Sequence, residues 1–191
     1  MQNNNVLRRA PLMPTLRRLG IPATNFLITI NIHPQTMCVW RKNGGAAGFP
    51  DYALTGEYRI STSRFGIGQT INSNCTPLGL HRVAKKIGGG YPQGTVFRGR
   101  KAVGLTWEGL PDATIVHRIL WLEGLEPHFN RGDGVDSFQR YIYIHGFADE
   151  TTLGRPASHG CIHMAAADLI PLYDWLPEGT LVWISQGPGI L

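Results

Sequence analysis

The sequence lacks any apolar run long enough to cross a membrane, since none approaches about 20 residues. Residues 1–24 carry the arginine pairs Arg8-Arg9 and Arg17-Arg18. They lack the apolar core of about 7–15 residues that a secretory signal needs after its basic start, and a twin-arginine signal needs that core too. These absences argue against stable membrane insertion. They predict a cytoplasmic protein, or a periplasmic one if an export segment had been removed.

Cysteine is scarce as well. The three cysteines, Cys38, Cys75 and Cys161, are an odd number that gives no disulfide framework. Free thiols are easiest to keep in a reducing compartment, which agrees with a cytoplasmic location. Cys38 lies in an alternating, strand-like run and is predicted to be buried, whereas Cys75 lies in a polar loop and is predicted to be partly exposed.

Charge is sparse and only mildly unbalanced. Charged residues make up 16% of the 191 residues, and the net charge is +5. We interpret this mild excess as a preference for acidic ligands and expect no nucleic-acid partner. The hydrophobic content of 42% suffices for one domain with a real core, and the 24 glycines suit the tight turns of a β-rich fold.

Apolar and alternating segments agree with a mostly β fold that has one or two short helices. We expect residues 1–24 to be a basic tail or strap and residues 25–191 to be the folded domain. The segment Ala165–Leu176 has helical character, with Asp168 as its N-cap and Pro171 in its first turn. The predicted strands include 26–32, 36–41, 57–63, 80–87, 113–121, 141–144 and 180–184.

The chemistry of the chain concentrates in the run from Ser158 to Met164, which places Cys161 among histidines and a glycine. A thiolate is the nucleophilic form of cysteine, so a nearby base is required, and His145 and His159 are the nearest candidates. Gly160 lets the backbone turn sharply. The N–H groups of Gly160 and Cys161 would then face a substrate carbonyl as oxyanion donors.

Two other interpretations of these residues stay open. An isolated cysteine is most often a core residue. A zinc site is the second alternative, because His159, Cys161 and His163 alternate and would share one face of an extended strand. With His145 they would form a four-ligand set suited to zinc.

The motifs together resemble the catalytic signature of the L,D-transpeptidases, the YkuD-type domain. The signature consists of His145-Gly146 after an apolar strand, then Gly154-x-Pro156, then Ser158-His159-Gly160-Cys161-hydrophobic-x-Met. The resemblance extends over roughly residues 25–185. It includes a first hairpin at Asn25–Arg41, the element Thr76-Pro77-Leu78-Gly79 and a last strand at Thr180–Ile184.

The resemblance implies a YkuD-like β-sandwich and cysteine acyl transfer without a cofactor. Cys161 would attack a peptidoglycan tetrapeptide stem, form a thioester and release the terminal D-alanine. His145 would be the base, Gly146 would orient it through its carbonyl, and His159 would support the site. Ser158, His163 and Tyr143 are predicted to contact substrate.

The acceptor of the acyl group is not part of the motif. We expect water, which makes the protein an L,D-carboxypeptidase of cytoplasmic muropeptides. Transpeptidation and D-amino-acid exchange are the alternatives within this chemistry. A non-catalytic module that binds zinc or cell wall is the alternative outside it.

Two positions depart from the family pattern. His163 stands where arginine or asparagine is common, and Phe147 stands where threonine is frequent. If His163 anchors a substrate carboxylate, binding is expected to weaken above about pH 6.5, the ordinary pKa of histidine. Phe147 is expected to reshape the cleft wall.

Overall fold

The computed structural model describes residues 12–44 and 51–187, so Arg8 and Arg9 of the basic segment lie outside the described residues. The described residues form ten strands, two α-helices and a short 3-10 helix. The helices are α1 (Leu12–Leu19) and α2 (Ala166–Trp175), with the 3-10 helix at Glu150–Thr152. The strands are β1 (Phe26–Asn31), β2 (Thr36–Lys42), β3 (Tyr52–Ser61), β4 (Gly79–Ile87), β5 (Thr95–Arg98), β6 (Lys101–Leu105), β7 (Val116–Gly124), β8 (Tyr143–Gly146), β9 (Ile162–Met164) and β10 (Leu181–Ser185).

Eight of these strands form a closed ring in the order β4-β10-β1-β2-β3-β9-β8-β7, and β7 pairs with β4 to complete it. The pairs β1–β10 and β8–β9 are parallel, and the other pairs are antiparallel. β5 and β6 form a hairpin that joins β7 through Val96 and Val116. The predicted mostly β fold with one or two short helices is confirmed. The two layers of the predicted sandwich are joined by strand pairing that continues around the ring.

The main core fills the ring with aliphatic side chains from alternate positions of the strands. It includes Ile28 and Ile30 of β1, Ile144 of β8 and Ile162 of β9, all fully buried. Burying such a side chain stabilises the fold by about 1.5–3 kcal/mol. Because side chains alternate along a strand, the neighbours of Ile144 and Ile162 point to the opposite face. That face carries the candidate site.

Helix α2 lies within the segment Ala165–Leu176 that was predicted to be helical, but its first turn differs from the prediction. Its N-cap is Ala165, which has no capping side chain. The Oε1 atom of Glu150 accepts the Ala166 N–H at 2.7 Å instead. The assignment of Asp168 as N-cap is therefore wrong, because a carboxylate from a preceding segment satisfies the first turn. Pro171 consequently lies inside the helix rather than in its first turn.

Helix α1 covers the outer face of the ring near β1, β4 and β10. Its buried residues Leu12, Met13 and Leu16 pack in a cluster with apolar side chains from those strands. On its solvent side, Arg18 donates to Glu126 at 2.8 Å. The boundary at residue 24 between a tail or strap and the catalytic domain stays a prediction. In the described part of the chain, neither helix has the length and apolarity to cross a membrane.

The long connection between β7 and β8 is packed against the ring. The Nδ2 atom of Asn130, a fully buried residue, donates to the carbonyl oxygens of Leu78 and Leu80 at 3.0 and 3.1 Å. Ser137 is also fully buried, and its hydroxyl lies 2.9 Å from His81 Nε2. The segment thus fixes the start of β8, which carries the candidate base.

Candidate active site

The parallel pairing of β8 and β9 brings two histidines together. The register places Ile144 opposite Ile162 and His145 opposite His163. Because the isoleucines belong to the main core, the histidines share the outer face. Their ring centroids are 4.9 Å apart in an edge-to-face arrangement.

Cys161 directly precedes β9, and Tyr143 is the first residue of β8. Cys161 packs against the apolar cluster that contains Tyr143. The Tyr143 ring centroid lies 6.3 Å from that of His145. The structure therefore gathers Cys161, Tyr143, His145 and His163 on one face, with Cys161 diagonal to His145 across the parallel pair.

The thiol of Cys161 is partly buried, and its Sγ lies 3.4 Å from the carbonyl oxygen of Tyr141. Burial raises the pKa of this thiol to about 11, although a hydrogen bond with the Tyr143 backbone and the charge of Arg140 both act to lower it. Tyr141 has a positive φ of 57°, which is uncommon for an aromatic residue. The resting site therefore holds a neutral thiol beside a strained backbone segment.

His145 is held in one orientation by its neighbour. Its Nδ1 lies 2.8 Å from the carbonyl oxygen of Gly146, the residue predicted to orient it. Since a carbonyl only accepts hydrogen bonds, Nδ1 carries the proton and Nε2 has a free lone pair. Burial lowers the pKa of His145 to about 4, and the bond to Gly146 opposes that shift. The imidazole is therefore neutral near pH 7 and able to accept a proton.

The loop before Cys161 is tied together by Ser158, which is only 1% exposed. Its hydroxyl donates to the Cys161 carbonyl oxygen at 2.5 Å and accepts the Gly160 N–H at 3.2 Å. The hydroxyl of Ser158 is thus engaged inside the loop, and the predicted contact of this residue with substrate stays a prediction. The Gly160 N–H is engaged by the same hydroxyl in this structure, and its predicted role as an oxyanion donor stays a prediction. Gly160 has a φ of +117°, so its place in the turn favours glycine.

His159 lies on the exposed side of the loop. Its Nε2 is 2.8 Å from Arg64 Nη2, and its ring centroid is 5.4 Å from that of Phe65. The zinc alternative required positions 159, 161 and 163 to share one extended strand, but β9 begins only at Ile162. Within residues 12–44 and 51–187, no three His, Cys, Asp or Glu side chains are grouped to hold a metal ion. The predicted zinc ligand set is therefore not assembled.

His163 is buried beneath Phe147. The two rings stack with centroids 4.4 Å apart and an interplanar angle of 13°. Burial, together with His145 and His159, lowers the pKa of His163 to about 3. The ring is therefore neutral near pH 6.5 in the absence of substrate, and the role of His163 as a carboxylate anchor stays a prediction. The family-atypical Phe147 supplies the apolar cover.

Arg140 is a residue that the sequence analysis missed. Its guanidinium donates to the carbonyl oxygens of Gln69 and Cys75 at 2.8 and 2.7 Å. The same segment contacts the loop before Cys161, since Thr76 Oγ1 donates to the Gly160 carbonyl oxygen at 3.1 Å. Arg140 thus fixes the segment that supports Cys161 and also lowers the pKa of its thiol. The only sequence signal for this role was that Arg140 directly precedes the strand predicted over 141–144, which leads to His145.

The fold has counterparts among solved structures. Bd1075 of Bdellovibrio bacteriovorus is 14% identical with a TM-score of 0.54, over 86% of this chain and 49% of that chain. An L,D-transpeptidase from Mycobacterium smegmatis is 14% identical with a TM-score of 0.50, over 84% and 58%. The LD transpeptidase LdtMt1, solved in complex with imipenem, is 14% identical with a TM-score of 0.50, over 84% and 59%. At such identities the likeness concerns the fold, and this chain spans about half to three-fifths of those proteins.

Sequence comparison adds an assignment that covers most of the chain. A search of curated proteins gives no match. The sequence profile of YkuD, the L,D-transpeptidase catalytic domain, matches residues 25–184. That range begins just before β1, contains the ring except for the last residue of β10, and includes both His145-Gly146 and Cys161. The chain therefore belongs to the L,D-transpeptidase catalytic domain family.

Proposed function

We propose that this protein is a cysteine acyltransferase that acts on the tetrapeptide stem of peptidoglycan and releases its terminal D-alanine. The observation that carries the proposal is the parallel pairing of β8 and β9. It places His145 and Cys161 on one outer face, with Nδ1 of His145 tied to the Gly146 carbonyl oxygen. A nucleophile and an oriented base on one face are what acyl transfer requires.

The reaction begins when the Cys161 sulfur attacks the carbonyl carbon between the third stem residue and D-alanine. As the C–S bond forms, the thiol proton passes to Nε2 of His145. The tetrahedral intermediate then expels the D-alanine amine, which takes the proton back from His145 as the C–N bond breaks. Cys161 is left as a thioester with the diamino acid at its L-centre.

The pKa values of Cys161 and His145 determine when the first proton transfer takes place. Burial holds the pKa of Cys161 at about 11 and that of His145 at about 4, so both groups start neutral at pH 7. The proton therefore moves during the attack rather than before it. Of the two oxyanion donors predicted from the sequence, the Cys161 N–H is the one not engaged by Ser158.

The acceptor determines the name of the activity. Water gives a tripeptide and makes the protein an L,D-carboxypeptidase. An amine from a second stem gives a cross-link, and a free D-amino acid gives exchange. The preference for water, and for muropeptides of the cytoplasm, stays a prediction.

The decisive experiment is mass spectrometry of a disaccharide-tetrapeptide incubated with the wild-type protein, with Cys161→Ala and with Cys75→Ala. We expect loss of D-alanine with the wild type and Cys75→Ala, but not with Cys161→Ala. A tripeptide product identifies water as the acceptor, and a dimer or an exchanged D-amino acid identifies an amine. Absence of any product with the wild type would contradict the proposal.

A second measurement probes the nucleophile without the stem peptide. A thiol that attacks strained carbonyls is expected to open the β-lactam of imipenem and gain its mass. Intact-protein mass spectrometry should show one adduct on the wild type and none on Cys161→Ala. Cell-wall binding that survives Cys161→Ala, with no turnover or adduct in the wild type, would instead favour a non-catalytic module.

A further inference from the structure

The tip of the β5–β6 hairpin has an unusual residue in a strained position. Arg98 pairs with Lys101, so Gly99 and Arg100 are the two central residues of the turn. Both have positive φ values, 53° and 69°, as in a type I′ turn. Glycine and asparagine are the usual residues there, and arginine is unfavourable because of its Cβ. Non-glycine residues in such conformations concentrate at functional sites.

The side chain of Arg100 reaches the aromatic wall beside the nucleophile. Its Nη1 lies 3.4 Å from the Tyr143 hydroxyl. Its guanidinium carbon lies 4.9 Å from the Tyr141 ring centroid and 5.0 Å from that of Trp121. Tyr141 also offers its carbonyl oxygen to the Cys161 thiol. The strained turn thus places a cation over residues that contact Cys161.

The guanidinium has hydrogen-bonding capacity to spare. It has five N–H donors, and its hydrogen bonds with the side chains of Tyr143 and Tyr141 use only some of them. Among the ion pairs of residues 12–44 and 51–187, none includes Arg100. An arginine that rests on aromatic faces keeps its planar edge available for a carboxylate, which it can bind through two parallel hydrogen bonds.

We propose that Arg100 binds a carboxylate of the acyl-donor peptide and thereby makes the enzyme selective for donors with that carboxylate free. The proposal rests on the proposed function, since it concerns the substrate that Cys161 attacks. Two groups of the tetrapeptide share this chemistry, namely the terminal D-alanine carboxylate and the side-chain carboxylate of the third residue. Amidation of each group separately distinguishes them.

The test compares kcat/KM for the free tetrapeptide, its terminal amide and its third-residue side-chain amide. Each substrate is used with the wild type, Arg100→Gln, Arg100→Lys and Arg98→Gln. Arg98 is an exposed arginine two residues away and serves as the control for loss of one charge from the same hairpin. All four proteins keep residues 158–161, which include Cys161 and the loop before it.

We expect the wild type to prefer the free acid over one of the two amides by roughly tenfold or more, the range typical of a charged hydrogen bond. Arg100→Gln should lose that preference, mainly through a higher KM for the acid, while Arg98→Gln retains it. Arg100→Lys should keep only part of the preference, because an ammonium group lacks the planar fork.

The two possible failures have different signatures. If the wild type releases D-alanine but Arg100→Gln shows the same acid-to-amide ratio, the inference is wrong and the proposed function stands. If the wild type releases no D-alanine from any substrate, the proposed function is wrong and this inference falls with it. A merely structural role for Arg100 would lower all three rates equally and leave the ratio unchanged, which also overturns the inference.

Discussion

The ring of His117 packs directly against Gly146, so that a Cβ built on this glycine would lie 2.4 Å from His117 Cδ2 and 2.7 Å from the Val116 carbonyl oxygen. His117 is itself fixed, because its Nδ1 accepts the Gly94 N–H at 2.8 Å. The glycine of the His-Gly motif therefore serves two purposes. Its carbonyl orients His145, and its lack of a side chain lets β7 approach β8.

Gly146→Ala is expected to destabilise the fold by about 1–3 kcal/mol, the usual cost of overpacking a close contact. It should also slow imipenem acylation, because the displaced carbonyl no longer holds His145. Urea unfolding and the acylation rate measure the two effects. Gly187→Ala is the control, since a Cβ there meets open space. A Gly146→Ala protein with wild-type stability would contradict the packing argument.

The pH dependence of Cys161 alkylation tests whether the thiol rests neutral. With a pKa of about 11, the thiolate fraction at pH 7 is small and rises about tenfold per pH unit toward that value. The iodoacetamide rate, measured in a Cys75→Ala background, should therefore still rise between pH 8 and pH 10. His145→Gln should not change this profile. A plateau reached below pH 8, lost in His145→Gln, would instead indicate a preformed thiolate–imidazolium pair.

Ser158→Ala removes the hydroxyl that ties the nucleophile loop together. The buried Gly160 N–H and Cys161 carbonyl then lose a partner, and we expect a stability loss of about 1–3 kcal/mol together with slower acylation. Thr180→Val is the matched control. It removes a buried hydroxyl that donates to Pro177 at 2.7 Å on the opposite side of the ring. Both variants should lose stability, but only Ser158→Ala should react more slowly with imipenem.

Four buried histidines, His81, His117, His145 and His163, make stability sensitive to acid, because burial lowers the pKa of each. Burial lowers the pKa values of His81 and His145 to about 4 and that of His163 to about 3. Below about pH 6.5 the unfolded chain binds protons that the folded protein does not, so the free energy of unfolding falls as the pH drops from 6.5 toward 4. Each histidine contributes at most about 1.4 kcal/mol per pH unit.

His81→Gln tests that dependence away from the reacting groups. The variant cannot protonate at this position, so its unfolding free energy should fall less steeply between pH 6.5 and pH 4.5 than that of the wild type. Urea unfolding at several pH values gives the slope. The exposed His33→Gln is the control and should keep the wild-type slope. Equal slopes for all three proteins would contradict the link to His81.

Local sequence patterns were informative where the structure depends on local rules. The strand predicted over 141–144 leads into His145, and Tyr143 and His145 lie on the same face of β8 because a strand has a period of two residues, although β8 begins only at Tyr143. The parallel pairing of β8 and β9 could not be predicted from local patterns. About fifteen residues separate His145 from Cys161, and only the family resemblance indicated that they meet.

The contacts that the sequence did not predict share a physical cause. Ser158, Glu150 and Arg140 each satisfy polar backbone groups of another segment or turn, and none of these hydrogen bonds was predicted. Buried N–H and C=O groups must find partners, but a sequence does not state which distant side chain provides them. The lowered pKa of His163 was not predicted for a related reason, since burial under Phe147 depends on packing that alternation cannot specify.

The place of β10 in the ring has a consequence for biosynthesis. This strand pairs with β1 on one side and β4 on the other, although both are made long before Leu181–Ser185 leaves the ribosome. Until then, β1 and β4 each have an open edge, and the ring cannot close. We expect this domain to remain incompletely folded and exposed to aggregation until β10 has been made, so that chaperones have their greatest effect before Leu181–Ser185 pairs with β1 and β4.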